Sequence, residues 1–564
     1  MEDAPWFRHY EEGVPRTISF PEITLPAALD QTAKRYPGRV ALRFYLDARL
    51  PVPALTYRQL QDATLRFATA LFQLGVRKGD RVALMLPNCP QFVIAFYGAM
   101  RIGAIPVNTN PMYVSREMRE QFEDSGCETV VLLDQFYPRL REIHAATRVR
   151  RVIVVDVAES LPWYARPLVH LAQRRKGEQV RVPAETDTYF FRDLVRRYPP
   201  TPPGADLRPS DVALLQYTGG TTGTPKAAML THRNLVTNSL QAQAWFPSAA
   251  GGIFLGAIPF FHVYGLTSVL LFGVASGATI IVIPRPRPVD IVLEAIQRFR
   301  VTLFPGVPTL YAALNEHPKV GDYDLRSGAL CVSGAAPLPR EVFERFEALT
   351  GGRLVEGYGL TETSPLTHCT PMFGERRPGS IGLPFPDTDA RIVDMTTAEP
   401  VASGEEGELE VRGPQVMLGY WGRPEETAEV FHDGWLRTGD IGRMDAEGWF
   451  YVVDRRKDMI DVSGFKVLPR EVEEVLLMHP KVREAVVAGV PDAYRGETVK
   501  AFVVLKAGES STEEEIVEFC RLHLAAFKVP RKVDFRSELP KTMVGKYLRR
   551  VLVEEETTPK TPAP

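Results

Sequence analysis

Between residues 80 and 157, apolar runs rich in β-branched residues alternate with helix-like stretches: RVALMLP, QFVIAFYGAMRIG, AIPVN, REMREQFEDSG, TVVLL and RVIVVDV. Strands with no polar face, separated by crossovers long enough to be helices, are what a parallel sheet covered on both sides looks like in sequence. The pattern predicts an α/β fold: a large N-terminal region whose mixed or parallel sheets are covered by helices. A chain of 564 residues exceeds what one core usually organises, so more than one domain is expected. No short internal period is present, so a solenoid or propeller is not indicated.

Charge narrows the partners. Lys plus Arg is 67 against 69 for Asp plus Glu, a net charge of −2, which gives no electrostatic footprint for nucleic acid. The five cysteines, Cys89, Cys127, Cys331, Cys369 and Cys520, are scattered and form no CxxC pair. They suggest neither a disulfide framework nor a zinc cage, and fit a reducing, cytoplasmic compartment. The opening MEDAPWFRHYEEGVPRT lacks the basic flank and apolar run of a signal peptide, so the mature chain is expected to start there.

Two segments raise a membrane question. Residues 248–284 carry no Asp, Glu, Lys or Arg, but Gly265, Gly273 and Gly277 divide them into a helix-like GLTSVLLFGVASG and a strand-like ATIIVIP. Each is too short to span a bilayer, which predicts a buried αβ unit. LPWYARPLVHLAQRRK, residues 161–176, joins aromatic and aliphatic residues to a basic cluster. It suits a peripheral contact with the inner face of the cell membrane and, equally, a surface helix over the core.

After DRRKD at 454–458 the character changes. Pro469 opens the helix REVEEVLLMH, short strands EAVVAGV and AFVVLK follow, and Ser511 and Thr512 with Glu514 and Glu515 three residues on announce a second helix. This predicts a separate small α+β domain. The tail, 552–564, ends in EEETTPKTPAP, has little to bury and is expected to be disordered.

The strongest chemical signal is LLQYTGGTTGTPKAAML, residues 214–230, an apolar strand running into a Gly- and hydroxyl-rich turn with one lysine. Gly219, Gly220 and Gly223 let backbone N–H groups approach an anion. The hydroxyls of Thr218, Thr221, Thr222 and Thr224 can donate to phosphate oxygens, and Lys226 adds positive charge. The spacing is not that of a Walker P-loop, because Pro225 precedes the lysine and Ala227 follows it. In VEGYGLTETSP, residues 355–365, Tyr358 offers an aromatic face for a base, and Glu362, between two hydroxyls, suits Mg²⁺ bridging phosphates. WLRTGD places Asp440 at a turn, and Arg455 follows in DRRKD. An acid and a base there could clamp sugar hydroxyls or form a surface ion pair. Lys546, in PKTMVGKYLRR, would by itself be a solvated lysine.

Taken in order, YTGGTTGTPK, YGLTETSP, GELEVRGPQVMLGYW, WLRTGD, DRRKD, SGFKVLPREVE and PKTMVGK resemble the adenylate-forming superfamily that includes acyl-CoA synthetases, over nearly the whole chain from Trp6 to Arg550. Gly219 stands where many relatives carry Ser, and Ala227 where they carry Gly. The Gly219 form, the opening PWFRHYEEGVP and the insert around Trp163 are similar to bacterial long-chain fatty acid synthetases. The resemblance implies an N-terminal adenylation domain over 1–453, a hinge over 454–459 and a mobile C-terminal lid over 460–551.

It also implies roles. Thr218 to Lys226 close over the β- and γ-phosphates of ATP, and Thr218 and Glu362 hold Mg²⁺. The loop Gly334, Ala335, Ala336 and Pro337, together with Glu356, Gly357, Tyr358, Gly359 and Thr361, lines the nucleotide pocket, while Asp440 and Arg455 hold the ribose. Lys546 reaches in from the lid to the carboxylate and α-phosphate; a cation between two anions lowers their repulsion. The fatty carboxylate attacks the α-phosphorus to give acyl-AMP. The lid then turns about Asp454, bringing Ser463, Gly464 and Lys466 to the coenzyme A side. IPFFHVYGLTSVLLFG at 258–273 and FPGVPTLYAAL at 304–314 are apolar enough to line an acyl tunnel, with His262, Tyr264 and Gly265 near its mouth; the same residues also read as ordinary core. The expected partners are a fatty acid, ATP and coenzyme A, with a homodimer left open. Competing readings are a ligase for medium-chain or aryl acids, an acyl-AMP ligase that loads a carrier protein, a non-catalytic lipid binder, and a luciferase-like oxygenase. A carrier-loading enzyme would carry an insertion after the hinge, and DRRKDMIDVSGFKV has none.

Overall fold

A computed structural model describes residues 4–218, 225–327, 330–462, 465–492, 496–543 and 545–557. The strands expected between residues 80 and 157 are Arg81–Met85, Ile105–Asn108, Thr129–Leu133 and Arg151–Val155, all paired in parallel within one seven-stranded sheet. Val212–Thr218 and Lys226–Thr231 close one edge of that sheet as an antiparallel pair. A nine-stranded sheet runs beside it, with parallel strands at its centre and antiparallel pairs at its edges. The helix Pro90–Arg101 is apolar on nearly every side and buried along its whole length, as a helix enclosed by the core must be. The one charge it carries inward, Arg101, is met by Asp30 at 2.6 Å.

The charge-free segment divides as its glycines predict. Helical residues run from Val263 to Ala275, with a wider π-type turn at Leu266–Leu271, and the strand Thr279–Val282 follows. Among the described residues no helix is long and apolar enough to cross a membrane. All five cysteines are free and buried.

A third sheet contains Asp389–Val393, Glu406–Arg412, Trp435–Met444 and Phe450–Arg455. Beyond it, a five-stranded sheet built on the long hairpin Val482–Asp492 and Gly496–Leu505 has its own apolar core with the helices Pro469–Met478 and Glu513–His523. Thr512 caps the second helix by accepting the Glu515 N–H at 3.2 Å. The tail corrects the sequence reading. Residues 552–557 belong to the helix Arg549–Thr557, because Leu552 inserts among Val486, Phe502 and Leu539, and because Arg536 and Lys500 pair with Glu555 and Glu556 at 2.8 and 2.7 Å. Residues 558–564 of that expectation lie outside the described residues.

Candidate active site

The strand Val212–Thr218 returns as Lys226–Thr231 with Thr218 opposite Lys226, so sheet pairing holds the two ends of the expected phosphate cradle together. Gly219, Gly220, Thr221, Thr222, Gly223 and Thr224 lie outside the described residues, as do Ser463 and Gly464. The short turn Thr361–Thr363 packs on both strands of this hairpin and brings Glu362 to it.

Residues 417–421 lie along the second strand: Leu418 N–H donates to Met229 O, Met229 N–H to Gly419 O and Trp421 N–H to Ala227 O. This lattice delivers two groups that sequence reasoning missed. The Tyr420 hydroxyl donates to Glu362 Oε1 at 2.8 Å, and the Lys226 ammonium stands 5.4 Å over the Tyr420 ring and pairs with Glu426 at 2.6 Å. The signal was the GYWGRPEE stretch, in which no residue was singled out. The Glu362 carboxylate with the Thr218 hydroxyl, the pair expected at the metal, would suit a magnesium ion, which keeps several waters and takes the rest of its shell from substrate phosphates. No cluster of three acidic, His or Cys side chains occurs among the described residues, and such a site needs none.

The residues expected on the nucleoside side lie at the carboxyl ends of two neighbouring parallel strands, Leu330–Ser333 and Arg353–Gly359, the usual location of ligand crevices in open α/β sheets. Gly334 to Pro337 follow the first, and Glu356 to Gly359 end the second. The Tyr264 hydroxyl donates to Gly306 O and Val332 O at 3.1 and 2.9 Å, which sets its ring against Gly334, where a Cβ would lie 3.0 Å from it. Gly359 admits no side chain, since a Cβ would lie 1.7 Å from the Pro365 carbonyl. Burial pushes the Glu356 carboxyl up to about 7, opposed by Arg470.

Asp440 is not at a turn. It sits within the strand Trp435–Met444, beside register shifts and next to Gly439 at φ +71°. That irregularity turns its buried carboxylate toward Tyr358, whose hydroxyl donates to it at 2.6 Å, and toward Arg455, which pairs with it at 3.1 Å. Burial, then Asp440, hold the phenol well above its ordinary range.

Lys546 is drawn into the structure rather than solvated. Its turn is closed by Thr542 N–H donating to Lys546 O at 2.8 Å, and Gly545 at φ +77° abuts Thr309 of the helix Pro308–Asn315, with no room for a Cβ, which would stand 2.5 Å from Thr309 Oγ1. Burial, then Arg455 and Lys457, push the ammonium down to about 7 against the pull of Asp440 and Asp458. His262 faces the same lysine. Burial and then Lys546 lower it to about 4, and its Nδ1 accepts the Tyr264 N–H at 3.2 Å, capping the helical segment behind it. Gly265 is required by the Pro259 carbonyl, 2.2 Å from any Cβ.

Between the two expected tunnel walls lies a cavity of only about 20 Å³, lined by Phe246, Ser268, Phe272, Pro305 and Phe385 among others. It has room for about one water and none for an acyl chain. Asp454, at the end of Phe450–Arg455, accepts the Arg455 and Arg470 N–H groups at 2.7 and 2.8 Å, and burial raises its carboxyl. Lys466 pairs with Asp461 at 2.6 Å on the exposed face of a hairpin whose other face, Ile460, Val462 and Val467, is buried in the C-terminal core.

A family profile described as AMP-binding enzyme matches residues 29–421, and one described as AMP-binding enzyme C-terminal domain matches 471–546. The chain belongs to the AMP-binding enzyme family. Among curated members it is 45% identical over 562 residues to a long-chain-fatty-acid–CoA ligase of Bacillus subtilis (strain 168), covering 99% of each chain. It is 41% identical over 556 residues to a ligase of the same name from Escherichia coli O157:H7, covering 98% of each. Among solved AMP-binding structures, ATP-bound MatB from Rhodopseudomonas palustris superposes with a TM-score of 0.82 at 28% identity, covering 94% of this chain and 99% of that one. The apo form of the same protein gives 0.70 at 29% identity, covering 95% and 99%.

Proposed function

We infer that this AMP-binding enzyme is an AMP-forming long-chain fatty acid–CoA ligase. The fatty carboxylate oxygen attacks the α-phosphorus of ATP, the bond to pyrophosphate breaks, and acyl-AMP forms. The coenzyme A thiolate then attacks the acyl carbon and AMP leaves. The observation that carries this reading is Lys546, arriving from the C-terminal region beside Asp440, Arg455 and His262 with an ammonium whose positive charge is disfavoured there. A polyanion entering that pocket supplies the missing counter-charge, and the lysine in return stabilises charge developing at phosphorus. Likeness to ligases of that name at 41–45% identity over 98–99% of the chain supports the substrate class.

Each remaining role follows from this placement. Thr218 and Lys226 take the outer phosphates, and Lys226 exchanges Glu426 for them. Tyr358 stacks on adenine, while Asp440 and Arg455 take the ribose hydroxyls. Glu362, with Thr218, would hold Mg²⁺, which when bound neutralises phosphate charge. Residues 454–459 act as the hinge between the adenylation region and the lid, and the better fit to an ATP-bound relative than to its apo form supports a lid set for the first half-reaction. His262, Tyr264 and Gly265 border the acyl entrance.

The test is product formation. Purified protein with ATP, Mg²⁺ and coenzyme A is given octanoate, dodecanoate, hexadecanoate and benzoate in parallel. Hexadecanoyl-CoA and AMP in equal amounts, with kcat/KM highest for the longer acids, is the expected result. A preference for benzoate or octanoate overturns the substrate class.

A further inference from the structure

The helix Arg166–Arg175 is held to the protein by one face only. Ala165 and Val169 join Ala158 and Leu161 in a small core of their own against Leu46 and Leu50. Arg166 donates to Leu161 O and Glu159 O at 2.9 and 3.2 Å, and His170 meets Asp156 at 2.8 Å. The opposite face needs no apolar residues for this packing, yet it is apolar. Trp163, Tyr164, Leu168 and Leu171 are 78, 59, 60 and 48% exposed. Tyr164, Leu168, Leu171 and Arg175 fall at helical spacing on one outward stripe, with Trp163 edge-on to Tyr164 at 6.0 Å between ring centres. An exposed apolar stripe of this kind marks a docking surface.

Its charge identifies the occupant. Residues 160–177 contain no Asp or Glu, and the stripe ends in the exposed cluster Arg174, Arg175 and Lys176. Trp and Tyr rings beside basic side chains match the boundary between acyl chains and anionic headgroups, with the long basic side chains reaching outward to the phosphates. A second copy of the chain would bring an equally acid-free segment against this one. At ten residues the helix lies in the interface plane and cannot cross it. The protein as a whole carries −2, so attraction to an anionic surface is confined to such a patch. We propose that the outward face of Arg166–Arg175, with Trp163 and Tyr164, docks the protein on an anionic lipid bilayer. The surface stands independently of the ligase reading, since binding needs no turnover.

The experiment uses the full chain and vesicles of phosphatidylcholine with or without phosphatidylglycerol. Of the six tryptophans, Trp6, Trp245, Trp435 and Trp449 are buried and Trp421 is half-buried, so brominated lipid should quench chiefly the exposed Trp163. Expected are sedimentation with phosphatidylglycerol vesicles but not with phosphatidylcholine alone, and quenching that disappears in Trp163→Phe. Binding should weaken on the order of 100-fold in Arg174→Gln/Arg175→Gln/Lys176→Gln. Circular dichroism and pyrophosphate release with a water-soluble acid should be unchanged in that variant, which shows that it is folded. Equal sedimentation of wild type and the triple variant, or quenching that persists in Trp163→Phe, overturns the proposal. So does a wild-type dimer in sedimentation velocity that dissociates in Leu168→Ser/Leu171→Ser, which would make the face a self-interface.

Discussion

The Tyr358 hydroxyl donates a 2.6 Å hydrogen bond to Asp440, a buried carboxylate that also faces Arg455 at 3.1 Å. This triad joins the nine-stranded sheet, which supplies Tyr358, to the third sheet, which supplies the other two. Tyr358→Phe keeps the ring and loses one charge-assisted bond, so KM for ATP should rise by about 10-fold or more, since hydrogen bonds to charged groups contribute roughly 1.5–3 kcal/mol. Asp440→Asn should raise it further, because Arg455 loses its partner. Steady-state kinetics with ATP as the varied substrate checks both.

Lys546→Ala should lower acyl-AMP formation by at least about 100-fold, the usual effect of removing one group that stabilises transition-state charge. Thioester formation from supplied acyl-AMP should be spared. Equal loss in both half-reactions would remove the assigned role.

Lys546 also predicts a pH dependence. In the nucleotide-free closed arrangement its ammonium is pushed down to about 7, while a lysine in an open, solvated lid has a pKa of about 10.4. Closing the free enzyme therefore releases a proton between those values, so closure gains as pH rises above about 7 and has no further dependence below it. ATP phosphates restore the charged form, so binding to the closed form takes up a proton and KM for ATP should climb from pH 7 to 9. Lys546→Arg cannot lose its charge, and its profile should be flat over the same range.

Gly545 approaches Thr309 too closely for a side chain and adopts a left-handed conformation. Gly545→Ala should hold the lid away and reduce adenylation more than thioester formation. Adding Thr309→Ala should restore part of the loss, because the contact is relieved while the backbone cost of about 1–2 kcal/mol remains. Rates of the two half-reactions in the single and double variants decide this.

Lys226 pairs with Glu426 where the phosphates are expected to draw it away. Glu426→Gln should lower KM for ATP by up to about fivefold, the range of a partly exposed ion pair. Isothermal titration with a non-hydrolysable ATP analogue gives the same quantity as an affinity.

The parallel strands between residues 81 and 155 were legible because β-branched runs with no polar face have one common use. The hairpin ends at Thr218 and Lys226 were legible because glycines and hydroxyls concentrate between them. Asp440 was misplaced at a turn because the neighbouring Gly439 signals a break, whereas the chain absorbs it as an irregularity within a strand. Tyr420, Glu426 and Thr309 lie in stretches whose composition is legible, but nothing local marks which of their side chains acts. They matter through contacts that join segments far apart in sequence. The helix Arg549–Thr557 escaped because its anchors, Leu552 and Val553 against the core and ion pairs from Arg549, Glu555 and Glu556 to distant segments, leave too little apolar pattern to read.

The central claim is that a fatty acid leaves the first half-reaction as its adenylate, before coenzyme A takes part. Isotope exchange between labelled pyrophosphate and ATP, measured without coenzyme A, tests it most directly. Hexadecanoate should make the exchange appear, and Lys546→Ala should remove it. Exchange that never exceeds the acid-free blank with any carboxylate, from an enzyme shown to be folded, would contradict the account.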